Sequence, residues 1–195
     1  MALLQELEAQ VLEVYRLLDA AVAAFAKRSG LSCPQGCGHC CLSEKVEATV
    51  LECIPLAFLL FSTSQAERML QILEENGDDK RCVLYRPNFT KAGLWGCSQY
   101  GTRTVVCRLF GFAGNPGRDG VARLALCRAM KDAAGADQTD VVVDDPLAPM
   151  PHFVDAGLRI TSMHPGLGTI RLPINVALRQ ALFKVGMVLD LQAGS

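Results

Sequence analysis

Cys33, Cys37, Cys40 and Cys41 place four thiols within nine residues, and Cys82, Cys97, Cys107 and Cys127 follow at wider intervals. Thiols at this density form disulfides, bind soft metal ions or hold an iron–sulfur cluster, and each outcome constrains the chain around the sulfurs. Two or three residues between neighbours let Cys33, Cys37 and Cys40 reach one centre. Gly36 and Gly38 flank Cys37. Glycine admits the positive φ that a loop around a metal needs, and it lets backbone N–H groups approach sulfur.

Context selects among these outcomes. The N-terminus, MALLQELEAQVLEVYRLLDA, carries acidic residues early and has no basic start before an apolar run, so it does not read as a secretory signal. The longest apolar stretch, Ile54 to Phe61, is far too short to cross a bilayer. A cytoplasmic location is therefore expected, where thiols stay reduced. Nine cysteines, an odd number, also suit a fully paired disulfide scaffold poorly. Metal binding is the expected use of the thiols. The formal net charge of −1 and the pI of about 6.3 remove the electrostatic case for a nucleic-acid partner, and no arginine stripe restores it.

Eight thiols suffice for two four-cysteine centres, whether zinc sites, clusters or one of each. The expected ligands are Cys33, Cys37, Cys40, Cys41, Cys82, Cys97, Cys107 and Cys127. Adjacent side chains diverge, so Cys40 and Cys41 suit a single tetrahedral ion poorly. One of them can serve a second centre, bridge two metals or pack in the core. Cys53 lies within the apolar run Val50-Leu-Glu-Cys-Ile and is expected in the core. His39 sits inside the motif, as a replacement ligand or as a hydrogen-bond donor to a thiolate. His152 and His164 have no ligand spacing and are expected in surface or packing roles. Thiolates around a metal leave net negative charge, and Arg103 and Arg108 are placed to offset it.

Half the residues are apolar and a fifth charged, enough for a sizeable core in 195 residues. One domain is expected over residues 1–195, with a cysteine-rich core at 33–127. The fold class is mainly α, with a small irregular cysteine-rich metal-binding lobe and a few short strands. Leu4, Leu7, Val11, Val14, Leu18, Ala21 and Phe25 recur at spacings of three and four, which predicts an amphipathic helix over 2–29 ended by Gly30. Its stripe suits the protein's own core, or the seam of a homodimer. Thr49-Val-Leu-Glu52 has capping-box spacing, and Ser64-Gln-Ala-Glu67 repeats it, opening a helix that should run to Gly77. Residues 81–112 read as irregular with short strands. Val121 to Lys131 reads as a helix bearing Cys127, Asp140 to Val143 as a strand, and Pro146, Pro149 and Pro151 as a loop. Pro173 suits the first turn of a last helix over 173–191.

The cysteine run, then Cys82-Val-Leu, then Cys97-Ser-Gln-Tyr100-Gly-Thr-Arg103-Thr-Val-Val-Cys107-Arg108-Leu-Phe110, resembles the YkgJ-like cysteine-cluster family, proposed to chelate zinc or iron. Thr49 and Glu52 match that family's helix-start element. Thr104 stands where the family usually has proline, and Tyr85 directly follows Cys82-Val-Leu, where the family pattern is Cys-x-x-Leu; every ligand position is kept. The resemblance spans about residues 33 to 127 and leaves Met163-His-Pro-Gly-Leu-Gly168 unexplained. It implies a metal centre and little about activity, although some relatives are flagellin lysine methylases thought to carry a cluster. Gly166-Leu-Gly168 lacks the strand–turn–helix context of a dinucleotide loop. Three readings result. The first is an iron–sulfur or iron protein in redox, metal-handling or cluster-dependent modification chemistry. The second is a zinc-stapled interaction module, and the third a methylase-like enzyme. The protein partner or substrate is unspecified.

Overall fold

The computed structural model describes residues 2–33, 37–86, 96–119, 122–127, 130–131 and 149–193. The first helix, α1, runs over Ala2–Ser29, and Gly30 at φ +71° stops it, as the periodicity predicts. Leu7, Val11, Val14, Tyr15 and Leu18 are buried in the protein's own core, so the stripe is used within the chain.

Helix α2 (Val50–Ser62) is the centre of that core. It is apolar nearly all round, the signature of a buried helix, and it continues through Pro55 despite the missing N–H. A three-residue connection, Thr63 to Gln65, leads to α3 (Ala66–Glu75). The second capping box is not formed there. Ser64 adopts φ +56°, and the Ser64 and Gln65 N–H groups bond back to the Phe61 and Leu60 carbonyls at 3.1 and 2.7 Å. The tight reversal out of α2 takes the position that a cap needs.

Among the described residues, three two-stranded antiparallel ribbons accompany the helices: β1 (Glu47–Thr49) with β6 (Arg171–Pro173), β2 (Tyr85–Arg86) with β3 (Gly96–Cys97), and β4 (Gly114–Pro116) with β5 (Ala122–Leu124). Ribbon β4–β5 corrects the helix expected over 121–131. A Cβ on Gly114 would lie 2.0 Å from the Arg123 carbonyl oxygen, so glycine lets the strands approach, and Ala125 N–H then bonds to Ala113 at 2.9 Å. Cys127 therefore follows a strand in non-helical chain. The strand expected over 140–143 and Pro146 lie outside the described residues; Pro149 and Pro151 lie in loop or bend conformation outside the helices.

After β4–β5 come α5 (Phe153–Met163), the single turn α6 (Pro165–Gly168) and α7 (Ile174–Ala193). Pro173 is the last residue of β6 rather than the first turn of α7. Pairing with β1 persists to that point, with Glu47 opposite Pro173, and Ile174 N–H still bonds to the Val46 carbonyl at 3.0 Å. Ala177, Leu178, Ala181, Leu182 and Val185 of α7 are wholly buried, and α7 packs along α2. The fold is mainly α with short two-stranded ribbons, as expected. Among the described residues no helix is long and apolar enough to cross a membrane.

Candidate metal centre

A cavity of about 500 Å³ opens beside the α2–α7 pair, and its wall carries Cys33, Cys37, Cys40, Cys41, Cys53, Cys82, Cys97 and Cys107. Seven of these eight are expected ligands. The eighth is Cys53, buried on α2 and expected in the core only. Cys127 is not part of this wall, although it is near enough to Cys33 to act on it electrostatically. A larger groove, about 570 Å³ between Leu42, Glu44 and Asp78 to Arg81, holds no thiol.

Backbone geometry assembles the wall. Cys40 and Cys41 ride a 3₁₀ turn (His39–Leu42), entered through Gly38 at φ +60°. A Cβ on Gly38 would stand 3.0 Å from the Gly96 Cα and 3.1 Å from the Tyr85 ring. Two glycines thus let the first cysteine loop settle on ribbon β2–β3, where Cys97 faces Tyr85 across the pair. Cys82 precedes that ribbon. Asn175 of α7 holds this segment, accepting from Val83 N–H at 3.1 Å and donating to the Arg81 carbonyl at 2.8 Å.

Cys107 lies on the short helix α4 (Val105–Leu109), and Glu52 places that helix. The predicted capping box forms, with Glu52 N–H donating to Thr49 Oγ1 at 3.2 Å and Thr49 N–H to Glu52 Oε2 at 2.7 Å. The other carboxylate oxygen accepts from Val105 N–H at 3.0 Å. One buried carboxylate therefore starts two helices.

Arg108 is buried and fully engaged. Its Nε–H donates to the Arg103 carbonyl at 2.8 Å, one Nη to Asp19 and the other to the Gly101 carbonyl, and its plane stacks on Tyr15 at 4.0 Å. Arg103 lies 3.8 Å from the same Asp19 carboxylate and stacks on Tyr100 at 3.6 Å. Both arginines line the cavity. Asp19, Tyr15 and Asn175 were not legible in the sequence: their partners lie tens of residues away, and no local pattern marks them.

The thiols differ in proton affinity. A hydrogen bond from Cys41 lowers the Cys40 thiol to about 6 against the opposing effect of burial, with backbone N–H groups and Arg103 contributing. The same contact, together with burial, drives Cys41 upward. Cys40 and Cys41 share the 3₁₀ turn, and each thiol acts on the proton affinity of the other. Burial pushes Cys82 up to about 12 and Cys107 up to about 11, and it also raises Cys33 and Cys97. Cys53, fully enclosed, lies well above the ordinary thiol range.

His39 is exposed on the turn and does not line the cavity. His152 precedes α5, 3.6 Å from Asp155, and His164 Nδ1 caps α6 by accepting from Leu167 N–H at 3.2 Å. Gly168 packs so tightly on α5 that a Cβ would meet the Ile160 carbonyl at 2.8 Å, so Gly166-Leu-Gly168 is a packing turn.

Donor chemistry fits a thiophilic metal or cluster. Among the described residues no three Cys, His, Asp or Glu side chains converge closely enough to hold an ion as they stand. The thiols nevertheless share one wall, and two further groups there lack acceptors: Arg103 Nε and the Tyr85 hydroxyl are buried without hydrogen-bond partners. Thiolates drawn inward around a metal are the acceptors such donors lack. Cys40, Cys41, Cys82, Cys97 and Cys107, with Cys33 and Cys37 at the loop, are the residues that would hold it.

Fold and site together define a small helical protein whose thiols, drawn from five separate chain segments, line one cavity. The CxxCxxCC family model, that of a candidate zinc- or iron-chelating domain, matches residues 32–136, more than half of the 195-residue chain. The chain belongs to that family, whose description supports metal binding. No curated protein and no solved structure matches the chain.

Proposed function

We propose that the cavity holds an iron–sulfur cluster or iron, and that the protein serves a redox, metal-handling or cluster-dependent modification role. The observation carrying this reading is the wall itself. Eight thiols surround about 500 Å³, more sulfur and more room than one closed four-cysteine zinc site uses. A bound cluster would supply one-electron chemistry. The residues around it contribute charge compensation from Arg103 and Arg108, and apolar shielding from Leu56, Leu84 and Leu178.

A structural zinc role is the second reading, and the shortness of the lobe's elements favours it. Ribbon β2–β3 pairs two residues with two, and such elements are marginal unless something clips them together. Anaerobic purification followed by metal and acid-labile sulfide analysis separates the two. Iron, sulfide and broad visible absorption are expected; colourless protein with stoichiometric zinc overturns the cluster. A methylase-like activity would require S-adenosylmethionine binding, and anaerobic calorimetry without measurable binding removes it.

A further inference from the structure

Thr104 occupies the residue before α4, the position from which a threonine side chain ordinarily caps a helix, yet it makes no cap bond. The Thr104 hydroxyl instead donates to Cys107 Sγ at 3.5 Å. Thr104 is itself buried, at 4 % exposure, and lines the thiol cavity. This is also the position where the resembling family usually carries proline, which has neither a hydroxyl nor any other donor there.

We propose that Thr104 is a tuning residue for the metal centre: its hydroxyl withdraws charge from the Cys107 sulfur and so sets the electronic character of whatever that sulfur ligates. The inference rests on the metal-centre reading above. Hydrogen bonds to ligand sulfur are among the means by which a protein sets a cluster's potential, and groups that orient or polarise a ligand alter its affinity for metal. The donor stabilises negative charge on sulfur. Removing it leaves a thiolate that is more basic and easier to oxidise.

Thr104→Val keeps the shape and deletes the donor, and Thr104→Ser restores the donor. Each is prepared with wild type and loaded anaerobically with cobalt(II) alone. The expected result is an unchanged cobalt stoichiometry and an unchanged melting temperature of the metal-free protein. The sulfur-to-cobalt charge-transfer band should move to lower energy in Thr104→Val and return in Thr104→Ser. An identical band in wild type and Thr104→Val overturns the proposal, as does a shift that Thr104→Ser fails to reverse. A second readout needs no metal: a crystal structure of the metal-free protein should show the Thr104 hydroxyl within hydrogen-bonding reach of the Cys107 sulfur. Protein that takes up no cobalt refutes the metal-centre reading and, with it, the tuning role, while the metal-free structure still shows whether the hydrogen bond exists. A Thr104 hydroxyl turned to another acceptor overturns the hydrogen bond itself.

Discussion

Both carboxylate oxygens of Glu52 accept backbone N–H groups, from Thr49 at 2.7 Å and Val105 at 3.0 Å, at a residue 1 % exposed. Glu52→Ala leaves two buried donors unpaired, so urea unfolding should show a loss of about 2–4 kcal/mol. Cys107 metal ligation should weaken with it, because α4 loses its start. Asp19 acts at longer reach by holding Arg108 and approaching Arg103, but its side chain is half exposed and screened by water. Asp19→Ala should cost only about 1–2 kcal/mol by the same measurement. The thiols themselves predict the effect of pH. Cys82 near 12 and Cys107 near 11 hold their protons at neutrality, whereas Cys40 near 6 has already given its up. Metal must displace protons from the first two, so affinity rises as pH rises from 6.5 to 8.5. A chelator competition should give log affinity against pH a slope of about two or more; a flat profile would remove Cys82 and Cys107 from the ligand set.

At the scale of elements, the approach of the 3₁₀ turn His39–Leu42 to ribbon β2–β3 is the site's most sensitive join. Gly38→Ala puts a Cβ at φ +60° and against the Gly96 backbone at 3.0 Å. A left-handed conformation costs a non-glycine residue about 1–2 kcal/mol, and the crowding adds to it. The variant should lose both stability and metal stoichiometry, read by denaturation and elemental analysis. The elements that the sequence revealed are those with local causes. The α1 stripe has a period, and Thr49 and Glu52 lie one capping box apart. The elements it misread depend on remote partners. Val121 to Lys131 has helical composition, but Gly114 lets β4 close against Arg123, and Ala122–Leu124 pairs as a strand. Ser64 has cap chemistry, but the exit from α2 commits its backbone first.

Across the whole molecule, α1, α2 and α7 share one core of fully buried side chains, while the cysteine lobe consists of two-residue strands and single turns. Stability should be distributed accordingly. In hydrogen exchange, the amides of Leu51 to Leu60 and Leu178 to Val185 should be protected with or without metal. Those of Cys40 to Leu42 and Tyr85 should gain protection only on loading. Equal protection in both states would mean the lobe is held without metal.

The sequence by itself determined that thiols would dominate this protein, that helices would carry it and that Glu52 would start a helix, because density, periodicity and capping are properties of neighbouring residues. Seven of the eight thiols on the cavity wall were among the expected ligands. Tertiary structure decided the rest. Cys53 joins the wall because the buried face of α2 borders the cavity. Cys127 is off the wall and follows β5 rather than riding a helix, and Cys40 and Cys41 share one 3₁₀ turn beside ribbon β2–β3. The arginines are held by Asp19 and the Cys107 sulfur is touched by Thr104 because separate elements converge there. Such relations depend on distance in space, which sequence spacing does not encode.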